Sequence, residues 1–491
     1  MVLRGTCAAG VALMGLVAAV SAQNVLQSSG PVMKGRAVAV REQAINLSLS
    51  DAIYLGLRNN RAIHGAYLQR IAQKFDLRVA RDKFTPKLEL TSAYLANRTD
   101  QGNSRTTEIT PVASLLAVTG ARFSLSWSKQ INVATDLGSG GSSSLSLSVI
   151  QPLLRDAGVG VNSASVRVAK LSERAHRLGL QSAVSQSVTQ IILAYREFLR
   201  AQEQVRIAQD ALLRSRQLLD INRGLIEAGR MARFDSVQTE ADVATQEFAV
   251  EEAQNQLDAD RMALLQLLAL DLDTRVEASE SFEAHEFQID VEQARRIALD
   301  NGPEYLSQIA SSQSADIELA VAKNQRLWDV SLVLGANYSR EDTRDGQTVV
   351  QPRGWDKYVG VQVSIPIGDL TREQSEVHAA VNANDQQLQL DEARQTLEQR
   401  VNDAVRDVST RWRQYEIAGR ARDLSAQKVA IEREKLQVGR SSNFQVLSFE
   451  ADLRNAESTR VNALISYLNA LTLLDLQLGM TLKSWDVELN D

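Results

Sequence analysis

The sequence predicts a mainly α-helical protein that carries one plan twice: a helix, a set of β segments, a very long helix, a Gly-Arg turn and a returning helix. Three observations carry this. The stretches LIEAGRMARFDSVQTEAD (225–242) and KLQVGRSSNFQVLSFEAD (435–452) share Gly229/Gly439, Arg230/Arg440, Phe234/Phe444, Glu240/Glu450, Ala241/Ala451 and Asp242/Asp452 at a constant separation of 210. No proline lies between Pro152 and Pro303 or after Pro366, which is what uninterrupted helix requires. Aromatic residues make up only 5% of the chain, while Ala, Leu, Gln, Glu and Arg abound, a long-helix composition.

Taken in order, residues 1–22 read as an export signal. Arg4 is the positive start, the run from about Ala8 to Val20 is apolar, and Val20-Ser21-Ala22 supplies small residues before a cut. A retained anchor helix is the alternative, disfavoured because the apolar run is short. The single cysteine, Cys7, falls inside this signal. The mature chain is therefore expected to lack a lipid anchor, disulfides and thiolate chemistry. An extended segment is expected over 23–45, and no later stretch has the roughly 18 consecutive apolar residues of a membrane-spanning helix.

The first repeat is placed at 46–274. It comprises a helix over about 51–83, strands over about 86–150, a long helix over 156–228 and a helix over 233–271. A linker over 275–290 leads to the second repeat, 291–482. Its parts are a helix over about 292–326, strands over about 329–366, a long helix over 370–438 and a helix over 443–478, with a tail over 483–491. TPKLELTS (85–92) aligns with LWDVSLVL (327–334) at an offset of 242, and Pro152 with Pro366 at 214. The first half thus holds 28 extra residues between about 95 and 149. These include SLLAVTGARFSLSWS, which reads as a further hairpin around Gly120. Each long helix is about twice the length of the helix after its Gly turn. Two short helices stacked end to end are therefore expected to line each long one.

The strand segments alternate. Phe123, Leu125 and Trp127 interleave with serines, as do Leu145, Leu147 and Val149, and Val359, Val361 and Val363 interleave with Gly360 and Gln362. Period-two alternation fits a soluble antiparallel sheet with one wet face as well as a membrane barrel. The export signal and aromatic residues near strand ends (Tyr94, Trp127, Tyr338, Trp355, Tyr358) favour the barrel. With about four framing strands per chain, or six if the extra hairpin joins, one chain cannot close a barrel of eight or more strands. Oligomerisation is then required, because an open edge in lipid leaves backbone groups unpaired.

The chain resembles the TolC family of outer-membrane efflux proteins, the outer-membrane factors of tripartite efflux and type I secretion systems. The resemblance rests on the duplicated layout, the LSLSDAIYLGLRNN opening, the SVIQPLL junction and the paired tips, and it covers about 45–482. It implies a homotrimer with a twelve-stranded outer-membrane barrel and a helical tunnel across the periplasm, exporting small molecules or proteins. Gly229, Arg230, Gly439 and Arg440 become the tips that meet a periplasmic membrane-fusion adaptor, itself linked to an inner-membrane pump or secretion ATPase. Arg233, Asp235, Gln445 and Ser448 would lie at the periplasmic entrance, and Pro86, Pro152 and Pro366 at the barrel–tunnel junction. Some relatives carry aspartates where this chain has Gln445 and Ser448. Closure is accordingly expected from hydrogen bonding and packing rather than an acidic ring. Without a partner, each glycine serves any helical turn, and each arginine serves as a helix-end cation.

Catalytic chemistry has no foothold in the sequence. His64, His176, His285 and His378 are scattered without ligand spacing, and no nucleophile-elbow, metalloprotease or phosphate-loop motif occurs. The expectation is a non-enzyme without cofactor or metal. A net charge of −6 without a basic block argues against nucleic acid. The competing class is a periplasmic or surface coiled-coil scaffold whose strands form a soluble cap.

Overall fold

The computed structural model describes residues 45–99, 102–134, 138–280, 284–344 and 354–489. The expected signal and most of the extended segment lie outside these residues. The chain divides into Met1–Ile45 and Asn46–Asp491, and the architecture is that of the second unit.

The first repeat runs β1 (Ile45–Leu47), α1 (Leu49–Asn59), α2 (Arg61–Asp82), β2 (Lys87–Thr99), β3 (Gly102–Leu116), β4 (Arg122–Ala134), β5 (Gly138–Pro152), α3 (Val159–Asn162), α4 (Ala164–Glu227) and α5 (Arg233–Leu267). β6 (Val276–Ala278) connects to the second repeat: α6 (Val291–Asn301), α7 (Pro303–Gln325), β7 (Asp329–Arg344), β8 (Gly354–Ser364), α8 (Thr371–Gln437), α9 (Asn443–Gln477) and α10 (Thr481–Ser484). The short strands β1 and β6 pair with each other. The other six form one antiparallel sheet in the order β2-β3-β4-β5-β7-β8.

Among the described residues this sheet has six strands, the larger of the two expected values. The 28-residue excess is a hairpin, β3–β4, inserted between the framing strands β2 and β5 and paired to both. Its near turn is built into the sheet–helix junction. Gly158 N donates to Thr119 O at 3.0 Å, and Asn162 Nδ2 donates to Asp156 O at 2.7 Å. Gly120 sits at φ +96°, and a Cβ there would lie 2.3 Å from Asp156 O.

The helices expected over 51–83 and 292–326 are each broken in two. Asn60 is extended, and its side chain accepts from Ala62 N at 2.8 Å and Ile63 N at 3.3 Å, so it caps a new helix. In the second repeat Pro303 opens α7. It has no N–H to continue the ladder and holds Gly302 extended.

The expected end-to-end stacking is present in both repeats. α4, of 64 residues and about 96 Å, packs against α1 and α2 along one half and α5 along the other. α8 does the same with α6, α7 and α9. Where the short helices meet, Asn60 Nδ2 donates to Leu267 O at 2.9 Å. The equivalent meeting in the second repeat is so close that a Cβ on Gly479 would lie 2.4 Å from Asn301 O.

The cores gather at these meeting points. Ala52, Ile53, Val188, Ile191, Tyr195, Leu264 and Leu268 form one; Ala298, Val401, Val408, Tyr467 and Leu474 form the other. Both buried tyrosines spend their hydroxyls on backbone, Tyr195 Oη on Leu47 O and Tyr467 Oη on His285 O, each at 2.8 Å. Arg196 joins the two repeats, donating from α4 to Leu468 O and, at 2.7 Å, to Thr472 Oγ1 on α9. Burial pushes its guanidinium down to about 10, against the charges of Glu280 and Asp475, so it stays charged at neutral pH.

Gly120→Ala should cost about 1–3 kcal/mol from backbone strain alone, with the clash in addition. A lowered thermal unfolding midpoint of the protein would register it. Gly160→Ala, whose Cβ would meet nothing within 4 Å, should leave the midpoint nearly unchanged.

Candidate functional site

The two hairpin tips are the most regular feature of the repeat. α4 ends with Arg230 N donating to Leu225 O at 2.8 Å and Gly229 N to Ile226 O at 2.9 Å. α8 ends with Arg440 N to Lys435 O at 2.8 Å and Gly439 N to Leu436 O at 3.0 Å. Gly229 and Gly439 have φ of +70° and +72°. These are paired 6→1 and 5→2 bonds around a left-handed residue, the Schellman termination that favours glycine.

The two arginines differ. Arg230 Nη2 donates to Gln437 O at 3.2 Å, linking the first tip to the second. Arg440 is exposed, and among the described residues its side chain has no hydrogen-bond partner. Beside them the repeated Phe234 and Phe444 are 70% and 68% exposed. That is far more than a Phe confined to packing its own hairpin would show.

Of the residues expected at an entrance, Arg233 is the exposed first residue of α5, and Asp235 lies in the same turn. Gln445 is in the first turn of α9, its N–H capped by Ser442 Oγ at 3.3 Å, and Ser448 is half-buried one turn on. Above them the tips are joined by residues that sequence reading did not select. Asn222 Nδ2 donates to Thr239 Oγ1 at 2.7 Å and to Asn443 Oδ1 at 2.8 Å, and Asn443 Nδ2 donates to Thr239 Oγ1 at 2.9 Å. Asn222 and Thr239 are wholly buried. The available signal was Asn222 itself, an amide in the apolar series Leu218, Leu219, Leu225, Ile226.

The repeated Glu-Ala-Asp motif also acquires a role. Asp242 accepts from Ser215 Oγ at 2.6 Å and Asp452 from Lys428 Nζ at 2.9 Å, each closing its own hairpin. Glu450 instead joins the hairpins, pairing with Arg214 at 3.0 Å and Arg433 at 2.5 Å.

Toward the tips, α8 leaves an apolar stripe uncovered. Ile417, Leu424, Ile431 and Val438 recur at seven-residue intervals and are 57%, 65%, 54% and 62% exposed. On α5, Phe234, Ala241 and Phe248 recur at the same seven-residue interval, with Val237 and Ala244 three residues on, and Phe234, Val237 and Phe248 are exposed. Seven-residue apolar spacing is the seam of a coiled coil.

At the other end, the ladder aligns residues of like character across the sheet. Trp127, Leu145, Tyr338 and Trp355 form one row on the apolar face, with Tyr338 and Trp355 in ring contact at 5.5 Å. The next row away from the helices holds Lys129, Ser143 and Arg340. Toward the helices the same face continues through Leu147, Val149, Leu334, Val359 and Val361 to Val363. Lys357, two residues from Trp355, is its charged exception. Trp355 to Val363 is eight residues, about 26 Å along a strand and roughly 20 Å across a bilayer at a barrel's tilt. The opposite face presents Ser124, Ser126, Ser128, Ser144, Ser146, Ser148, Asn337 and Ser339. Pro86 directly precedes β2, Pro152 ends β5, and Pro366 follows β8 by two residues, so all three lie at the sheet–helix boundary.

Among the described residues no group of three or more His, Cys, Asp or Glu could hold a metal, and no helix is long and apolar enough to cross a membrane. No family model matches the sequence, and no curated protein matches it. Solved structures do. The CmeC outer membrane channel of Campylobacter jejuni is 17% identical, with a TM-score of 0.66 over 88% of this chain and 85% of its own. The outer membrane protein VceC of Vibrio cholerae is 16% identical, with a TM-score of 0.67 over 88% of this chain and 96% of its own. The open-state MtrE outer membrane channel of Neisseria gonorrhoeae is 14% identical, with a TM-score of 0.65 over 90% of this chain and 93% of its own. Joined to the duplicated hairpins and the two-faced sheet, these likenesses show that the chain has the TolC-like fold of outer-membrane channels.

Proposed function

We propose that the chain is a channel-tunnel of the outer membrane. Three copies close a barrel in the membrane and a helical tunnel in the periplasm, and cargo leaves through both. One observation carries this reading: the six-stranded sheet has an apolar face of bilayer height, a hydroxyl-rich opposite face and two unpaired edges, β2 and β8. A single sheet of this kind has no use for its open edges in lipid, whereas a closed ring of copies satisfies every backbone group. The uncovered heptad stripes on α5 and α8 support the same association along the tunnel. The chemistry of the pore is passive, with neither catalysis nor cofactor.

The tips are the docking surface for a periplasmic adaptor that links the channel to an inner-membrane pump or secretion ATPase. Gly229 and Gly439 shape the turns, Arg440 offers a charge, and Phe234 and Phe444 offer apolar anchors. Arg230, already donating to the second tip, helps to hold the pair of tips together. Arg233, Asp235, Gln445 and Ser448 line the entrance, and Pro86, Pro152 and Pro366 mark the change from barrel to tunnel. Closure of the entrance rests on the buried Asn222–Thr239–Asn443 cluster and on Glu450 with its two arginines.

Purified protein in a planar bilayer should conduct, and its mass in detergent should be that of three copies. Leu424→Asp with Ile431→Asp should lower that mass to one copy. A soluble wild-type monomer without conductance would favour the scaffold reading instead. Asn222→Ala removes two buried hydrogen bonds, at about 1–3 kcal/mol. It should raise the resting conductance of the assembled channel without changing its mass. Arg440→Glu should leave assembly and resting conductance intact yet abolish export in cells. Unchanged export at normal abundance would reduce Arg440 to a helix-end cation.

A further inference from the structure

The inserted hairpin bears on the size of the pore. Three properties make β3 and β4 part of the wall rather than an appendage. The first is register. Trp127 of β4 falls in the same row as Tyr338 and Trp355 of the framing strands, and Leu125 in the same row as Leu147 and Ala336. A hairpin outside the bilayer has no reason to continue the aromatic row of the strands inside it. The second is the opposite face. Ser124, Ser126 and Ser128 continue the rows of Ser148, Ser146 and Ser144 and of Gly335, Asn337 and Ser339. The third is anchorage. The turn at the helix end of the hairpin is held by the Gly158–Thr119 bond and the close seat of Gly120 against Asp156. Arg122 lies 3.7 Å from the Asp156 carboxylate.

The edges supply the second half of the argument. β2 and β8 stand at opposite ends of an all-antiparallel sheet with an even strand number. β8 of one copy therefore runs antiparallel to β2 of the next, and the ring closes without a parallel seam. Both edges present apolar residues on the bilayer face: Leu88, Leu90 and Tyr94 on β2, and Val359, Val361 and Val363 on β8.

We infer that the assembled barrel has eighteen strands, six from each of three copies joined β8 to β2, rather than the twelve that four strands per copy would give. Because barrel diameter grows roughly linearly with strand number, the exit is about one and a half times as wide as that of a twelve-stranded barrel. On the face that lines it, Glu89, Glu108 and Asp356 stand among the serines and Asn337, so the lining is hydroxyl-rich and acidic. Size selection then falls to the helical tips.

This rests on the channel reading above, and the test separates the two. The one native cysteine, Cys7, lies in the expected export signal. Leu125→Cys on β4, Ser126→Cys on its opposite face and Val361→Cys on β8 are each labelled with a thiol-reactive fluorophore. The full-length protein is then placed in bilayers carrying nitroxide acyl chains. Labels at Leu125 and Val361 should both lose fluorescence, while Ser126 should respond to aqueous iodide instead. Quenching at Val361 without quenching at Leu125 would overturn the eighteen-strand barrel and leave the channel intact. Quenching at neither would overturn both. Leu88→Cys combined in turn with Val359→Cys, Val361→Cys and Val363→Cys should give, for one pairing, oxidative cross-links between copies that stop at three. A ladder stopping at two, or disulfides only within one chain, would overturn the count.

Discussion

A helix of about 100 Å needs lateral burial along its whole length, and no single return helix in this chain supplies it. α4 and α8 have 64 and 67 residues; α5 and α9 have 35 each. The remainder of the architecture follows from this mismatch. The uncovered halves of the long helices take α1–α2 and α6–α7, so each repeat needs a helix before its strands as well as after them. The meeting points of the short helices become the mid-molecule cores, where Tyr195 and Tyr467 are wholly buried. The strands are left to one end, where nothing in the same chain can close them.

The tips show how one motif serves two different bonds after duplication. Asp242 and Asp452 perform the same service within their own hairpins. Glu450 has moved to a bond between hairpins, whereas Glu240 approaches Arg223 of its own hairpin, at 4.0 Å. Arg230 reaches the second tip and Arg440 reaches no described residue. The repeats are thus similar in backbone and different in side-chain partners, which gives one tip an internal bond and leaves the other with a charge to offer.

Buried polar groups concentrate where the two hairpins touch. The Asn222–Thr239–Asn443 cluster and Arg196 each join elements far apart in sequence, and each would be costly to leave unpaired in a dry contact. Such contacts specify one arrangement of hairpins more sharply than apolar packing does, because a slipped register strands a donor. The apolar stripes on α5 and α8, by contrast, are left uncovered by the helices of their own chain.

The duplication, the Gly turns, the proline punctuation and the alternation of the strands were all legible in the sequence, because each is a local rule: spacing, φ preference, a missing N–H, a two-residue period. The breaks at Asn60 and Gly302–Pro303 were local too, an Asn cap and a first-turn proline, but the helical periodicity on either side hid them. Only the tertiary structure decided that β3–β4 pairs into the sheet, that Asn222 meets Asn443, and that Arg214 and Arg433 converge on Glu450. The contacts between hairpins cross large sequence separations, 221 residues for Asn222 and Asn443 and 236 for Arg214 and Glu450. Residue spacing carries no information about them, since their partners are chosen by the packing of whole helices and the register of whole strands.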